Sequence, residues 1–445
     1  MLNWLITHSP LLYFTQSLWR DEAFSILAAQ QPLVQLLPKL SFEPPVYYIL
    51  LHFWMKIFNQ SELATRSLSL LGFALATVVV IVWAEKLFKY HWLRWFAPLF
   101  FFLNPMLIYY AFEVRTYGWY IFFATLTMYA YWKESWVLFL ASATLGFYTH
   151  SYFGVVPLVA AVHWLIIHKK KLLHPLALAK EPFVHSLVLF SLLASPWLAK
   201  ISRDLGTLKQ SWYFPVNVNL VKSVLGNMFI GYEGTPWFLW GATQLLSLIL
   251  VIFFLFALGR KSTRQRNFFF FLMVFLPLTI VIGVSFIKPL FVNRYLIAVT
   301  IAEVMLLLFA LEAIKKESVK KAIAFFLLTC TFLVNIWYPA LHAKLDIRST
   351  IKEVNAMVKP TDIILAESSL IFLETRYYAK NRNQVFFYDP NDTGFPWYVG
   401  SAAFSNAYLV HKLPIYPARA FLISENGTYR VVFRTVLPSK RASKL

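Results

Sequence analysis

From Leu63 to Ala84 the chain reads LATRSLSLLGFALATVVVIVWA, and Arg66 is the one ionisable side chain in it. A helix rises 1.5 Å per residue, so about 20 apolar residues reach across a hydrocarbon layer ~30 Å thick. The run therefore reads as a membrane span. Lys86, Lys89 and Arg94 follow it directly, and cations gather in the cytoplasmic connections of membrane proteins, which orients the span.

Nine more apolar runs extend the pattern, near 95–112, 117–132, 136–150, 153–167, 184–199, 237–258, 268–287, 290–311 and 322–340. Their connections alternate. One set carries Lys133; Lys169, Lys170, Lys171 and Lys180; Arg260, Lys261, Arg264 and Arg266; then Lys315, Lys316, Lys320 and Lys321. The other set is longer, richer in Trp and Tyr and poor in cations. The pattern predicts an α-helical polytopic membrane protein with about 10 transmembrane helices in the cell (inner) membrane. The N-terminal segment, the turn at 113–117, the loop 200–236 and the region beyond 342 then fall outside the cytoplasm.

Composition agrees. Hydrophobic residues make up 59% of the chain and charged residues 14%, with mean hydropathy +0.59, against about a quarter charged in soluble domains. The formal charge of +20 suggests nucleic acid only until its positions are read. The cations lie in every second connection, so topology explains them and no nucleic-acid partner is expected. The single cysteine, Cys330, rules out a disulfide framework. The first residues lack the charged start and small-residue cleavage site of a signal peptide.

Two stretches depart from the spanning pattern. Residues 18–60 are too polar to cross, and Pro32, Pro38, Pro44 and Pro45 divide them into short pieces. These read as first-loop interfacial helices, one over Val46–Phe58. Residues 342–445 alternate helix (Ser349–Val358), strand (Asp362–Ala366), helix (Ser368–Ala379) and strand (Gln384–Tyr388). A hairpin (Ala418–Ile423, Tyr429–Val436) follows around Glu425-Asn426-Gly427. The division is therefore a transmembrane domain, 1–341, and a small extracytoplasmic α/β domain, 342–445.

Charges at a membrane boundary are costly and mark candidate sites. Asp21 is the only aspartate before residue 204, and Glu22 stands beside it. A partly desolvated carboxylate there is a stronger proton acceptor, and a solvated acid pair is the plain alternative. Glu113 and Tyr117 are four positions apart, on one face of any helix through them, with Arg115 turned away. A Glu–Arg pair that only neutralises itself is the alternative. Arg66 and Arg294 sit in or at the edge of apolar spans. A guanidinium offers phosphate a planar fork, although snorkelling to headgroups also accounts for both. His150, at an outer boundary, reads as a packed histidine. No phosphate-binding glycine loop, zinc spacing or Asp-x-Asp occurs, the nearest being Asp389-Pro-Asn-Asp392. Neither metal nor cofactor is expected.

At these residues the chain resembles a known family. Ser17-Leu18-Trp19-Arg20-Asp21-Glu22-Ala23 is similar to the first-loop Asp-Glu motif of the GT-C membrane glycosyltransferases, specifically glycosyltransferase family 39 and aminoarabinose-transferase-like proteins. Glu43-Pro44-Pro45-Val46-Tyr47-Tyr48 resembles their His-Pro-Pro-Leu-Tyr-Tyr segment. Glu62–Leu68 resembles the start of their next span, and Asn104-Pro105 through Glu113–Tyr117 their Pro…Glu-x-Arg-x-Tyr motif. Ser195-Pro196-Trp197 and Asn293-Arg294-Tyr295 recur later.

The resemblance implies a polyprenyl-phosphate-sugar donor, a protein, lipid or glycan acceptor, an outer-face site and inversion at the anomeric carbon. It makes Asp21 the base and Glu22 its support. Arg66, Arg115 and Arg294 become the phosphate holders, with Glu113, Tyr117 and Glu43 supporting. Two departures stand out. The family has a full span before its Asp-Glu motif, whereas 20 residues precede Asp21 here, so either the start of this sequence lies too far downstream or this member lacks that helix. Glu43 also replaces a histidine. The rival class is a polytopic transporter or lipid flippase, which would place charges near the midplane in interrupted helices. A non-catalytic scaffold is the third reading.

Overall fold

The computed structural model describes residues 2–40, 42–204, 216–231, 237–396 and 401–435. Two compact units emerge: Met1–Thr15 with Ser41–His342, and Gln16–Leu40 with Ala343–Leu445. The stretch 16–40, read from sequence as part of the domain 1–341, thus groups with the C-terminal region.

Four short helices open the chain: α1 (Leu2–Thr7), α2 (Leu11–Thr15), α3 (Arg20–Ala29) and α4 (Leu33–Lys39). Then come α5 (Pro45–Phe58), α6 (Glu62–Leu87), α7 (His91–Phe102), α8 (Pro105–Ala111), α9 (Tyr117–Trp132), α10 (Trp136–Phe147), α11 (Val155–Ile167), α12 (Pro175–Leu178) and α13 (Pro182–Asp204). The first unit ends with α14 (Val218–Ile230), α15 (Trp240–Leu258), α16 (Arg264–Ser285), α17 (Ile297–Ala313) and α18 (Glu317–Leu341). Six stretches among the described residues are long and apolar enough to cross a membrane: Glu62–Leu87, Pro182–Asp204, Trp240–Leu258, Lys261–Ser285, Asn293–Ala313 and Glu317–Leu341. Shorter apolar helices occupy Trp136–Phe147, Ser151–Ile167 and Val218–Ile230.

Two expectations change. The run 95–112 is not one helix. The Asn104 side chain accepts the Leu107 N–H at 3.1 Å and starts α8, with Pro105 in its first turn. Asn104 Nδ2 also donates to the Phe229 carbonyl at 3.1 Å. Within 200–236, read as a loop, lies α14. Its polar residues hid it from a hydropathy reading, yet its backbone is tied to neighbouring helices: Gly226 N donates to Ser247 Oγ (2.9 Å) and Thr300 Oγ1 to the Met228 carbonyl (3.1 Å).

α17 is the innermost helix, with every side chain from Ile297 to Leu311 buried. α6 and α9 approach closely at Gly118, where a β-carbon would stand 2.0 Å from the Ser69 carbonyl oxygen. Only glycine fits there.

The second unit holds α19 (Ile347–Met357), α20 (Ser369–Tyr378) and a sheet of β1 (Ile363–Ala366), β2 (Val385–Tyr388), β3 (Leu409–Val410), β4 (Ala420–Ile423) and β5 (Tyr429–Val432). The order is β3-β2-β1-β4-β5. The first four strands run parallel, and β5 pairs antiparallel to β4 with Ile423 opposite Tyr429. Gly427, at φ +81°, turns the hairpin. Leu365, Ala420 and Leu422 form the sheet's core.

Candidate active site

In the second unit, the first turn of α3 carries Asp21 and Glu22. They part company at once. Glu22 is fully buried and folds back, its Oε2 accepting the Trp19 N–H at 3.3 Å. Lys344 Nζ lies 3.4 Å from the same oxygen and 5.0 Å from the Trp19 ring centroid. An amide and an ammonium offset the cost of burying this charge. The Asp21 side chain keeps 24% exposure, with Arg20 Nε 3.5 Å from Oδ1, and a helix N-terminus favours negative charge. Glu22 is committed to structure, and Asp21 retains an accessible carboxylate.

Long-range hydrogen bonds hold this segment. Tyr378 Oη accepts Leu18 N (2.7 Å) and Ser17 Oγ (3.2 Å), and Gln16 Oε1 accepts Lys344 N (2.9 Å). Arg382 donates to Gln30 Oε1 at 2.6 Å. Glu374 on α20, which packs on α3, is buried and accepts the Arg20 N–H. Burial pushes its carboxyl up to about 8, against the pull of the Arg20 amide, Lys344 and Arg20, with Glu22 adding to the rise. The sequence carries no local sign of Lys344 or Glu374.

In the first unit, residues 113–116 form a tight turn, as expected from sequence, so Glu113 and Tyr117 do not share a helix face. Arg115 N donates to the Glu113 carbonyl at 2.7 Å, and helix begins only at Tyr117. The turn is tied to α6 and α5: Ser69 Oγ donates to the Arg115 carbonyl (3.1 Å), so Tyr47 Oη donates to Ser69 Oγ (2.9 Å). Trp119 Nε1 donates to the Leu68 carbonyl. Arg115 Nη2 meets Glu43 Oε1 at 2.5 Å, whereas Glu43 Oε2 is buried without a hydrogen bond among the described residues.

Arg115 and Arg294 are both 7% exposed. Arg294 sits in the 3-10 turn Asn293–Leu296 with its guanidinium 5.6 Å from the Tyr295 ring centroid. Both cations act electrostatically on one imidazole, His150, which burial and these two charges hold near 3. Tyr117 lies 5.8 Å from the same ring. Arg66 differs: it has no exposed surface, and its Nη1 donates to the Phe14 carbonyl at 3.0 Å, bracing α2 on α6.

Sequence reasoning also passed over Glu303. It is fully buried midway along α17, and neither carboxyl oxygen has a hydrogen-bond partner among the described residues. In the second unit, Asp389, Asp392 and His411 could bring one ligand atom each within 4.8 Å of one another. Their chemistry suits a turn better than a metal. Burial would raise the Asp389 carboxyl, but hydrogen bonds from Thr393 N, Gly394 N and Thr393 Oγ1 hold it below its ordinary range. His411 Nδ1 donates to the Asp389 carbonyl at 2.7 Å, so that nitrogen carries a proton and cannot ligate.

No family model matches the chain, and no curated protein sequence matches it. Solved structures do. ArnT from Cupriavidus metallidurans in the apo state aligns with a TM-score of 0.57 over 87% of this chain and 84% of that one, at 13% identity. The same protein bound to undecaprenyl phosphate aligns at 0.60 over 95% and 91%, also at 13% identity. At that identity the likeness is one of fold. The chain therefore shares the fold of that protein, with six stretches among the described residues long and apolar enough to cross a membrane and a small C-terminal sheet.

Proposed function

We propose that this chain, with its ArnT-like fold, is an inverting glycosyltransferase moving a sugar from a polyprenyl-phosphate carrier to an acceptor hydroxyl on the extracytoplasmic face of the cell (inner) membrane. The observation that carries the reading is the likeness, over nearly the whole of both chains, to a structure holding undecaprenyl phosphate. The buried guanidiniums of Arg115 and Arg294, both acting on His150, suit an anion of that kind.

The reaction assigns each group a task. The acceptor oxygen forms a bond to the anomeric carbon from the face opposite the phosphate, and its proton passes to Asp21. The bond from the anomeric carbon to the phosphate oxygen breaks, and its electron pair leaves with the polyprenyl phosphate. Arg115 and Arg294 take up the charge that develops there. Glu22, held by Trp19 N and Lys344, fixes the turn that presents Asp21. The turn Glu113–Tyr117 aims Arg115, and Glu43 supports it by neutralising its guanidinium until the phosphate takes the fork. Arg66 supports α2 and α6. The acceptor is a hydroxyl of a protein, lipid or glycan.

One observation favours the rival transporter: a buried carboxyl midway along a span, as Glu303 is, suits a proton or ion path. The test gives purified protein radiolabelled polyprenyl-phosphate sugars, with Asp21→Asn alongside. Wild type should release labelled sugar to an acceptor, and the variant about 100-fold more slowly or worse. Equal release by both removes Asp21 as base. No release by wild type, with Glu303-dependent flux in vesicles, transfers the case to transport.

A further inference from the structure

We infer that His150 is a binding residue for the carrier, donating a hydrogen bond from Nε2–H to its phosphate beside Arg115 and Arg294. The assignment rests on the transferase reading above and adds a group to it.

The tautomer follows from one contact. Tyr152 N–H donates to His150 Nδ1 at 3.2 Å, so Nδ1 carries no proton and the neutral ring is protonated on Nε2. Among the described residues Nε2 makes no hydrogen bond, and the residue is only partly buried. A donor is therefore fixed in direction and left unspent.

The ring cannot easily turn away. Tyr120 stacks on it at 5.1 Å and 23°, Tyr295 lies at 5.1 Å, Tyr117 at 5.8 Å and Tyr152 at 5.9 Å. Two of these tyrosines are themselves tied, Tyr120 Oη to the Tyr295 carbonyl (3.2 Å) and Tyr152 Oη to the Leu290 carbonyl (2.9 Å). The two guanidiniums disfavour a third positive charge nearby, which keeps the ring neutral. A phosphate has more lone pairs than two forks fill, and a preset neutral donor fills one more without adding repulsion. The plain alternative is that His150 merely packs in a tyrosine cluster.

Two substitutions in the full chain separate these roles. His150→Phe keeps an aromatic ring and loses the donor, whereas His150→Gln loses the ring and keeps an N–H near the Nε2 position. Undecaprenyl phosphate is the probe, titrated in detergent with thermal unfolding recorded for each protein. The dissociation constant should rise about tenfold for His150→Phe and about threefold or less for His150→Gln. In wild type labelled with ¹⁵N-histidine, the His150 Nε2–H proton should move downfield as the lipid is added. Phe binding like wild type while Gln is weakened, or no shift on binding, overturns the assignment in favour of packing. Failure of wild type to bind the lipid at all overturns the transferase reading along with it.

Discussion

The ammonium of Lys344 lies 3.4 Å from Oε2 of Glu22, a residue 322 positions earlier in the chain. The Glu22 side chain has no exposure and that of Lys344 has 10%. Lys344→Met would leave a buried carboxylate short of its cation, at a cost of about 3 kcal/mol. Glu22→Gln in the same protein should restore part of it, as a double-mutant cycle followed by thermal unfolding would show. Transfer should fall with Lys344→Met, because Asp21 shares the first turn of α3 with Glu22. An unchanged melting temperature for the single variant would contradict the pairing.

Arg115→Ala and Arg294→Ala should each weaken undecaprenyl phosphate binding about tenfold or more, measured by calorimetry, since each removes a buried fork from the anion. Arg66→Ala should lower stability and leave affinity within about threefold, because its Nη1 serves the Phe14 carbonyl. Unchanged affinity in both of the first two variants would return them to headgroup snorkelling.

Glu43 Oε1 lies 2.5 Å from Arg115 Nη2, so in the proposed site it would compete with the phosphate for that fork. Glu43→Gln removes a negative charge from that neighbourhood and should tighten lipid-phosphate binding about threefold to tenfold. Weaker binding would mean instead that the carboxylate is needed to aim the guanidinium.

Glu374 sets a pH dependence. Its ordinary value is 4.5 and burial lifts it to about 8 in the folded protein. Below 4.5 folded and unfolded forms are both protonated, and the group is neutral to stability. Between 4.5 and 8 only the unfolded form releases the proton, so stability falls as pH rises and levels off above 8. Asp362 runs the other way. Hydrogen bonds from Arg419 hold its carboxyl below the usual range, so its contribution is present above the unfolded value and is lost toward acid. Unfolding followed from pH 4 to 9 should show the alkaline loss in wild type and a flatter profile in Glu374→Gln. An identical slope in both would exclude Glu374 as its source.

Sequence alone determined what repeats locally. The apolar run at 63–84 became α6, the Pro44–Pro45 start became α5, and the strands around Asn426-Gly427 became the β4–β5 hairpin. Each depends on neighbours a few positions apart: hydropathy over a membrane's width, a proline's fixed φ, a glycine's positive one. The Asp21-Glu22 pair was legible as a candidate site for the same reason, since a charge beside apolar spans is locally improbable.

Tertiary structure decided which of those charges meet. Nothing near Glu22 announces Lys344, nothing near Arg115 announces Glu43, and His150 reads as packing until Arg115 and Arg294 are found acting on it. α14 stayed hidden because Asn219, Lys222, Ser223 and Asn227 lower its hydropathy, while the ties of its backbone to Ser247 and Thr300 come from distant parts of the chain. The physical reason is common to all of them. A buried charge or amide is tolerable only beside its partner, and burial brings together residues from distant parts of the chain.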